Sequence, residues 1–579
     1  MKYISNREIA KLFHSVAAAY TVKNGDRFKI LAYERAADSI DKATSEFKDL
    51  WEEGNLDSVP GIGKGIQAHL DELFTRGKVA HFETVKKDLP QSMFEFLDIP
   101  GMGPKTAYIL ASKLKLKDIS DLEKAAKTGK IRKLPGFGLK SESEILASIA
   151  QFKQKTNRYL LTFAFPISQR IVNYLKQEKE CHEALPLGSL RRMVSTVGDI
   201  DIAASSNNPK KVIEHFKKFK EVDRILGAGP MASSVILKNG LQIDLKVLPE
   251  DSFGALLQHF TGSKNHNIAL REYSLKKGMS LSEHGIKFKG QTQKFKDEES
   301  FYKFLGMEYI EPELREDTGE IEASLKNDLP HLITTQDIKG DIHLHSNYPI
   351  EPSHDLGTGS MEQIVKKAKE LGYDYVGLSD HSPSVSTHSK QQIIDLIKRR
   401  TEKIEQINDS EKGIRILNLL EIDILANGEL SVPDEGLKLL DGCLAGIHSS
   451  HNQARDLITK RILKACESPY VKVISHPTNR LLLQRESSDA NWPEVFESCV
   501  KTKTLLEINA WPNRLDLPDV LVKDAISTGV KLIINTDSHA IDQMDNMKYG
   551  VSVARRGWAE PKNIANTLPW LEFSKIFGV

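Results

Sequence analysis

Three aspartates have the type and spacing needed to hold divalent metal ions. Asp199 and Asp201 are two positions apart where the apolar run IAA begins, and on a strand positions i and i+2 face the same side. Two carboxylates so close repel each other unless a cation lies between them, and Mg²⁺ takes oxygen ligands. A third carboxylate, Asp244, lies in the alternating run LQIDLKVL. Three aspartates on adjacent strands predict a two-metal site for in-line displacement at phosphorus.

Residues suited to phosphate precede these aspartates. Gly188 and Ser189 offer a tight turn with a free N–H and a hydroxyl, and Arg191 and Arg192 offer guanidinium forks. An isolated Asp-x-Asp is most often an ordinary strand pair, whereas Gly-Ser, Asp-x-Asp and a later strand aspartate together are much rarer. The combined pattern resembles the nucleotidyltransferase superfamily and, within it, the family X DNA polymerases. That resemblance implies that Gly188, Ser189 and Arg192 bind an incoming triphosphate.

Length and composition indicate several globular domains. The chain has 579 residues, 40% hydrophobic and 27% charged. No apolar run approaches the length needed to span a bilayer, and the first residues, MKYISNREIAKLF, lack the apolar core of a signal peptide. The four cysteines are scattered without CxxC spacing, which argues against a zinc ribbon and suits a reducing compartment. We therefore expect a cytoplasmic protein that does not enter membranes.

Charge is distributed unevenly along the chain. Residues 1–315 contain 50 Lys and Arg against 40 Asp and Glu, whereas residues 316–579 contain 30 against 39. A basic front half is suited to tracking a phosphate backbone, although an excess of this size also fits a mildly basic solvated surface.

A glycine-containing phrase occurs three times in the front half. VPGIGKGI, IPGMGPKTA and LPGFGLKSESEIL each lead into a helical pattern and carry a lysine, which is Lys64 in the first. Glycines let the backbone approach a phosphate, and a helix N-terminus presents free N–H groups to it. The phrases resemble the helix-hairpin-helix, which holds DNA backbone without reading sequence. The positions assigned to DNA contact are Gly61, Gly63, Gly101, Gly103, Lys105, Gly136, Gly138 and Lys140.

The segment around FTGS extends the family X resemblance. It implies that Phe260 and Gly262 line the nucleotide pocket, that Asn267 meets the base edge in the minor groove, and that Arg271 lies on the templating side. His259 stands where the family usually has tyrosine, near the ribose 2′ position, so sugar selectivity stays open. The family's Schiff-base lysine falls on His69, and an imidazole cannot form an imine, so we expect no efficient lyase chemistry.

The last 240 residues repeat one pattern. Seven apolar runs end in polar residues and are followed by helix-like segments: GDIHLH, DYVGLSDH, ILNLLEID, CLAGIH, VKVISH, TLLEIN and KLIINTDSH. This pattern predicts a parallel βα barrel with its active site at the carboxyl ends of the strands. Imidazole with carboxylate suits Zn²⁺, Mn²⁺ or Fe²⁺ better than Mg²⁺ alone. The predicted ligands are His343, His345, His381, Glu421, His448, His476, Asp537 and His539.

These phrases resemble the PHP (polymerase and histidinol phosphatase) domain, whose members hold up to three metals and cleave phosphoesters. This chain departs from the family pattern after His345, where Tyr348-Pro349-Ile350 replaces the expected Ser-Asp-Gly. We expect Asp355, in SHDLGTGS, to supply the displaced carboxylate, with His354 as a possible substitute; both are otherwise ordinary loop positions.

The predicted fold class is multidomain α+β and α/β: a helical helix-hairpin-helix N-terminal region, a nucleotidyltransferase palm and thumb, and a C-terminal distorted (β/α)7 PHP barrel. The predicted divisions are an N-terminal helical DNA-binding domain (1–90), fingers (91–150), palm (151–250), thumb (251–315), linker (316–336) and PHP domain (337–579). We expect a monomer.

The resemblance implies a DNA polymerase that fills short gaps in base excision repair, using gapped or primer-template DNA, dNTPs and Mg²⁺. Its PHP domain would supply Mn²⁺-dependent 3′–5′ exonuclease or other 3′-end processing with Mn²⁺ or Zn²⁺/Fe²⁺. Two alternatives are a small-molecule phosphatase with a vestigial polymerase and a non-catalytic DNA-binding scaffold.

Overall fold

A computed structural model describes residues 4, 6–41, 47–52, 54, 56–59, 61–99, 101–155, 158–350 and 355–579. Pro60 and Pro100 of the glycine-containing phrases, and the predicted alternative ligand His354, lie outside the described residues. The chain divides into two compact units. The first comprises residues 1–157, 229–232 and 275–294, and the second comprises residues 158–228, 233–274 and 295–579.

Among the described residues up to position 155, the regular structure is helical. They are α1 (Asn6–Val22), α2 (Arg27–Asp41), α3 (Phe47–Glu52), α4 (Lys64–Arg76), α5 (Ala80–Lys86), α6 (Gln91–Phe96), α7 (Pro104–Leu114), α8 (Ile119–Lys127) and α9 (Leu139–Lys155). Two apolar cores hold them, one around Phe13 and Phe82 and the other around Phe96 and Leu110.

The three glycine-containing phrases share a feature at their first glycine. The first glycine of each has a positive φ: 91° at Gly61, 78° at Gly101 and 84° at Gly136. L-residues rarely adopt this conformation, so each turn requires glycine. Helices α4, α7 and α9 begin three residues later. Each phrase therefore forms a glycine turn that leads directly into a helix, as the helix-hairpin-helix resemblance predicts.

The next part is a sheet with flanking helices. Its elements are β1 (Tyr159–Leu160), α10 (Leu161–Leu175), β2 (Glu183–Pro186), α11 (Gly188–Arg191), β3 (Thr196–Val197), β4 (Ile200–Ser205), α12 (Pro209–Phe216), β5 (Val222–Ala228), β6 (Ala232–Leu237) and β7 (Gln242–Leu248). Five strands form one sheet in the order β2-β4-β7-β6-β5, in which β4 and β7 are parallel. This register pairs Asp201 directly with Asp244.

A smaller region follows, with helices and a three-stranded antiparallel sheet. Its elements are α13 (Phe253–Thr261), α14 (Lys264–Lys276), β8 (Met279–Ser282), β9 (Gly285–Phe288), β10 (Gln291–Gln293), α15 (Glu298–Phe304) and α16 (Glu320–Lys326). Arg315, which is fully buried, pairs with Glu298 at 2.5 Å and donates to the carbonyl of Ile310. Helix α16 lies in the predicted linker and buries Ile321, so this connection is packed.

A seven-stranded parallel barrel forms the C-terminal part, as predicted. Its elements are β11 (Gly340–Asp341), α17 (Met361–Glu370), β12 (Tyr375–Leu378), α18 (Lys390–Ser410), β13 (Arg415–Asp423), α19 (Asp434–Leu437), β14 (Gly442–Gly446), α20 (Arg455–Cys466), β15 (Val471–Ile474), α21 (Trp492–Thr502), β16 (Leu505–Asn509), α22 (Asp519–Thr528), β17 (Leu532–Asn535), α23 (Met547–Arg556) and α24 (Trp570–Phe577).

The barrel strands pair in chain order, β11 to β17. A parallel bridge between Leu344 and Ser538, which follow the first and last strands, nearly closes the barrel. Strands covered on both faces are expected to be continuously apolar, and β12, β14, β16 and β17 are buried throughout. The closure brings the carboxyl ends of all seven strands to one rim.

Candidate active sites

The three predicted aspartates lie together at one edge of the five-stranded sheet. Asp201 and Asp244 are direct partners on β4 and β7, and Asp199 immediately precedes β4. Ser234 and Gln242 donate hydrogen bonds to the carboxylate of Asp244, from Gln242 at 3.0 Å. Parallel pairing of these two strands is thus what unites carboxylates that are 43 residues apart in the chain.

The carboxylates repel each other strongly. Burial, followed by the charges of Asp199 and Asp244, raises the pKa of Asp201 to about 7. Burial also raises the pKa of Asp244, although hydrogen bonds from Ser234 and Gln242 oppose this. Such a cluster is stabilised by cations that share the carboxylate oxygens, so the donor set fits Mg²⁺.

The glycine-serine turn lies directly beside the aspartates. Gly188 has φ +58°, and a Cβ added there would lie 3.5 Å from Asp201 Oδ2. Ser189 and Arg191 lie in the short helix α11, and Arg192 caps its C-terminal end. Arg191 pairs with Glu298 at 2.5 Å, whereas Arg192 pairs with Glu316 at 2.9 Å and donates to the carbonyl of Thr261.

Residues predicted to face the nucleotide reach the same turn from α13 and α14. The carbonyl oxygen of Phe260 is 3.9 Å from the Cβ position of Gly188, and Gly262 is 3.1 Å from the guanidinium of Arg192 by the same measure. Asn267 donates to the carbonyl of His259 at 2.7 Å and accepts from Gln258. Its amide is therefore already engaged within the protein. Arg271 lies one turn further along α14.

The eight predicted metal ligands of the barrel converge at its rim. Three groups have ligand atoms that all lie within 4.8 Å of one another. They are His345, His381 and His539; His343, His345, Glu421 and Asp537; and Glu421, His448 and His476. Among the described residues, Asp355 belongs to none of these groups. It lines a cavity together with His381 and Glu421.

Glu421 lies at the centre of the barrel cluster. One carboxylate oxygen is 2.8 Å from His476 Nε2 and 3.1 Å from His448 Nε2, and the other is 3.1 Å from His381 Nδ1. Burial alone would raise the pKa of Glu421, but the imidazoles of His343, His448 and His381 lower it well below its usual range. This carboxylate is placed to serve more than one metal position.

The imidazole nitrogens fit bound metal. Six buried nitrogens in five of the predicted histidines make no well-formed hydrogen bond among the described residues: His343 Nε2, His345 Nδ1 and Nε2, His381 Nε2, His476 Nδ1 and His539 Nε2. Carboxylates approach two of them, Glu421 at 3.3 Å from His343 Nε2 and Asp537 at 3.2 Å from His345 Nε2. Buried polar atoms without partners are costly, and a metal ion is a partner for which neutral imidazole is suited. Burial, then the neighbouring His381 and His539, lowers the pKa of His345 to about 3.

Two carboxylates missed by the sequence reasoning orient these ligands. Glu507 Oε1 is 2.7 Å from His343 Nδ1, and the other oxygen of Glu507 accepts a hydrogen bond from the backbone N–H of His476 at 2.7 Å. Asp423 contacts Nδ1 of His448. A carboxylate on the second ring nitrogen fixes the tautomer of a metal-binding histidine. Position at a strand's carboxyl end was the available signal, since Glu507 lies in β16 and Asp423 ends β13.

A cavity of about 550 Å³ opens onto the cluster. Besides metal-ligand candidates, its lining includes His451, Arg485 and Arg514. His451 Nδ1 and one terminal nitrogen of Arg514 are buried without a partner among the described residues. Burial, followed by the charge of Arg485, lowers the pKa of His451 to about 4. The cavity thus combines metal-ligand candidates with cationic groups suited to a phosphate. These three residues were also missed, although each follows a barrel strand.

Comparisons with known proteins identify the family of this chain. Family models match residues 4–79 (helix-hairpin-helix domain), 94–151 (SAM-like helix-hairpin-helix tandem) and 256–316 (DNA polymerase beta thumb). The chain is 33% identical to the DNA polymerase/3′-5′ exonuclease PolX of Bacillus subtilis over 567 residues, covering 97% of both chains. The chain belongs to the PolX family.

Two more distant relatives match parts of this PolX-family chain. Rat DNA polymerase lambda is 24% identical over 346 residues, covering 54% of this chain and 56% of the relative. A probable phosphatase of Thermoanaerobacter sp. is 25% identical over 239 residues, covering 39% of this chain and 89% of the relative. The thumb match contains Phe260, Gly262, Asn267 and Arg271, and the helix-hairpin-helix matches contain all three glycine-containing phrases.

Proposed function

We propose that this PolX-family enzyme is a DNA polymerase that fills short gaps during repair and that its barrel removes nucleotides from DNA 3′ ends. The observation that carries the proposal is the presence of two separate ligand clusters. One consists of aspartates beside a glycine-serine turn, and the other of imidazoles and carboxylates at a barrel rim. The Bacillus relative, similar over nearly the whole chain, bears both activities in its name.

In the polymerase site, Asp199, Asp201 and Asp244 would hold Mg²⁺, which when bound neutralises the triphosphate and orients the attack on phosphorus. The Gly188–Ser189 turn and Arg192 would bind the triphosphate of a dNTP. Asp244, whose carboxylate accepts hydrogen bonds from Ser234 and Gln242, would help remove the proton of the primer 3′-hydroxyl.

In the barrel, the three ligand groups would hold up to three ions of Mn²⁺, or of Zn²⁺ and Fe²⁺, which when bound polarise the scissile phosphodiester. Arg514 and Arg485 would orient the phosphate at the 3′ end from the cavity wall, because guanidinium forks match phosphate oxygens. Glu507 would hold His343 in the tautomer that exposes Nε2 to the metal.

DNA would be held by the three helix-hairpin-helix turns and by Arg271. We propose that the first turn holds backbone on the far side of a gap and favours a downstream 5′-phosphate.

No helix among the described residues is both long and apolar enough to cross a membrane. A monomeric state and a cytoplasmic location complete the proposal; sedimentation at working concentration tests the first.

The deciding experiment is primer extension and degradation on gapped DNA, with Mg²⁺ and Mn²⁺ tested separately. Asp199→Ala with Asp201→Ala should lower incorporation by about three orders of magnitude or more, since losing a metal removes several kcal/mol of stabilisation and each ~1.4 kcal/mol is a factor of ten. Degradation of the 3′ end should persist. The matched variant, His343→Ala with His345→Ala, should show the reverse.

Loss of both activities in either folded variant would contradict the two-site proposal. Phosphomonoester hydrolysis without activity on DNA would instead support a small-molecule phosphatase; the Thermoanaerobacter relative is named a probable phosphatase. For the gap preference, a downstream 5′-phosphate should speed extension, and the advantage should decline with salt because phosphate contacts release counterions. Equal rates on gapped and open substrates at moderate salt would exclude it.

A further inference from the structure

The guanidinium of Arg192 is held between two segments outside its own turn. Its Nε atom is 2.9 Å from Glu316 Oε1, and NH1 donates to the carbonyl of Thr261 at the end of α13. Only 13% of the Arg192 side chain is exposed. The arginine expected to meet the triphosphate is thus already engaged with a carboxylate at the end of the matched thumb segment.

A second arginine shares that carboxylate. Arg556, the last residue of barrel helix α23, places NH1 2.9 Å from the same Glu316 oxygen that contacts Arg192. The same nitrogen donates to the backbone carbonyl of Arg192 at 2.8 Å. Arg556 therefore contacts Arg192 directly through its backbone and indirectly through Glu316.

The barrel holds Arg556 in this position. Its NH2 atom is 2.6 Å from Asp519 Oδ2, at the start of α22, and only 7% of the Arg556 side chain is exposed. Charges alternate along the chain of contacts, from Asp519 through Arg556 and Glu316 to Arg192. Both terminal nitrogens of the Arg556 guanidinium are paired and the side chain is buried, so it has little freedom to rotate away from Glu316.

We propose that Arg556 is a positioning residue for nucleotide incorporation, acting on Arg192 from the barrel. The inference rests on the proposed role of Arg192 in binding the triphosphate. It assigns to the barrel a part in polymerisation that is independent of its metal cluster.

Charge balance explains what Arg556 would do. When Arg192 turns its N–H groups towards a triphosphate, Glu316 loses one of its two cationic partners. Arg556 remains, so the carboxylate of Glu316 stays paired. Without the Arg556 charge, nucleotide binding would strand a largely buried carboxylate, which is costly. The cost would appear in the KM for dNTP. The rate at saturating dNTP would change little, because the three aspartates are not touched.

The test is steady-state extension of a one-nucleotide gap by the full chain. Arg556→Gln should raise the KM for dNTP about tenfold, within the range of ordinary site-to-site coupling, with kcat within about twofold. Arg556→Lys keeps the charge and should fall between wild type and Arg556→Gln. Glu316→Gln removes the competing carboxylate, so it should lower the KM alone and should largely suppress the defect when combined with Arg556→Gln.

Arg555→Gln is the matched control. Arg555 neighbours Arg556 on α23 and pairs with Glu313 at 2.7 Å, so it ties the barrel to the same segment without touching Arg192. It should leave the KM for dNTP unchanged. Barrel nuclease rates should be at wild-type level in all variants, which shows that they are folded.

The variant Arg192→Gln distinguishes the proposed triphosphate role of Arg192 from the positioning role of Arg556. If Arg192→Gln does not raise the KM for dNTP, the proposed role of Arg192 fails. If it does, but Arg556→Gln stays within twofold of wild type or Arg555→Gln has an equal effect, the positioning role of Arg556 is overturned. Lack of suppression by Glu316→Gln would also overturn it. Should Arg556→Gln fail to fold, Arg556→Lys and Glu316→Gln decide the question through the same KM.

Discussion

At the scale of single residues, the barrel site depends on how side chains share one carboxylate. Glu421 is within 3.1 Å of a nitrogen from each of His381, His448 and His476, which follow three different strands. Asp537 adds a second shared carboxylate, 3.2 Å from His345 Nε2. Bridging carboxylates let neighbouring cations lie close together without excessive repulsion. The number of metal ions that the site binds therefore depends on how these individual carboxylates are shared.

The number of bound metal ions also depends on whether Asp355 is a ligand. It lines the cavity but follows residues 351–354, which lie outside the described part of the chain. If its carboxylate completes one metal position, Asp355→Ala should remove about one metal equivalent and lower the nuclease rate by about ten- to a hundredfold, while primer extension is kept. Metal analysis of purified protein and the two activity assays measure this.

Asp374→Ala is a suitable comparison, because that carboxylate lies on the barrel before β12. It should leave metal content and nuclease rate unchanged. An unaltered metal content in Asp355→Ala as well would show that the insertion after His345 has cost this chain one ligand of its family.

At the scale of elements, one position on the helix that follows the first helix-hairpin-helix turn determines whether Schiff-base chemistry is available there. Helix α4 follows the Gly61 turn and carries His69. His69 Nε2 is 3.1 Å from the hydroxyl of Tyr33 on α2, and its ring stacks on His81 of α5 at 5.2 Å. Burial, then the neighbouring His81, lowers the pKa of His69. The surroundings favour uncharged nitrogen at this position.

A lysine in place of His69 should give helix α4 a Schiff-base lyase activity. Wild-type protein should give little covalent product when borohydride is added with an incised abasic end, because imidazole forms no imine. His69→Lys should raise trapping by at least about tenfold, since burial that disfavours charge makes an amine more nucleophilic. Gel shift of the trapped complex is the readout.

His81→Lys provides the neighbouring control for that experiment and should trap less than His69→Lys. Strong trapping by the wild type would show instead that another lysine acts, with Lys64 at the start of α4 the first to examine.

At the scale of the whole molecule, most of the five-stranded sheet and the barrel belong to the same compact unit, so metal binding at the rim and stability of that unit are linked. A ligand that binds only the folded state stabilises it by mass action. Chelation of metal from the barrel should lower the apparent Tm by a few degrees, because metal at a hundredfold excess over its Kd contributes about 2.7 kcal/mol. Differential scanning calorimetry with and without chelator measures this.

The variant His343→Ala with His345→Ala separates the barrel from other metal sites in that measurement. Its Tm should respond little to chelator, whereas Asp199→Ala with Asp201→Ala should retain the response. A chelator effect of equal size in both variants would mean that the stabilising metal binds elsewhere.

Much of this architecture follows from local patterns in the chain. Apolar runs ending in His, Asp or Glu predict strands whose polar ends meet at one rim, and β11 to β17 do so. The spacing of Asp199 and Asp201 needs only the two-residue repeat of a strand. Glycine at positions 61, 101 and 136 reflects a backbone conformation that other residues rarely adopt. These features are local, so residue type and spacing determine them.

Other features depend on which distant segments come together. Glu507 orients His343 across 164 residues, and Arg556 reaches the carbonyl of Arg192 across 364. Neither contact leaves a periodic trace, since a buried carboxylate in a strand and an arginine at a helix end have many possible partners. The packed position of α16 in the predicted linker is of the same kind, because its charged sequence gives no sign of the surface that covers Ile321. Only the tertiary structure selects one partner among many, and hydrogen-bond geometry then determines what each pair can do.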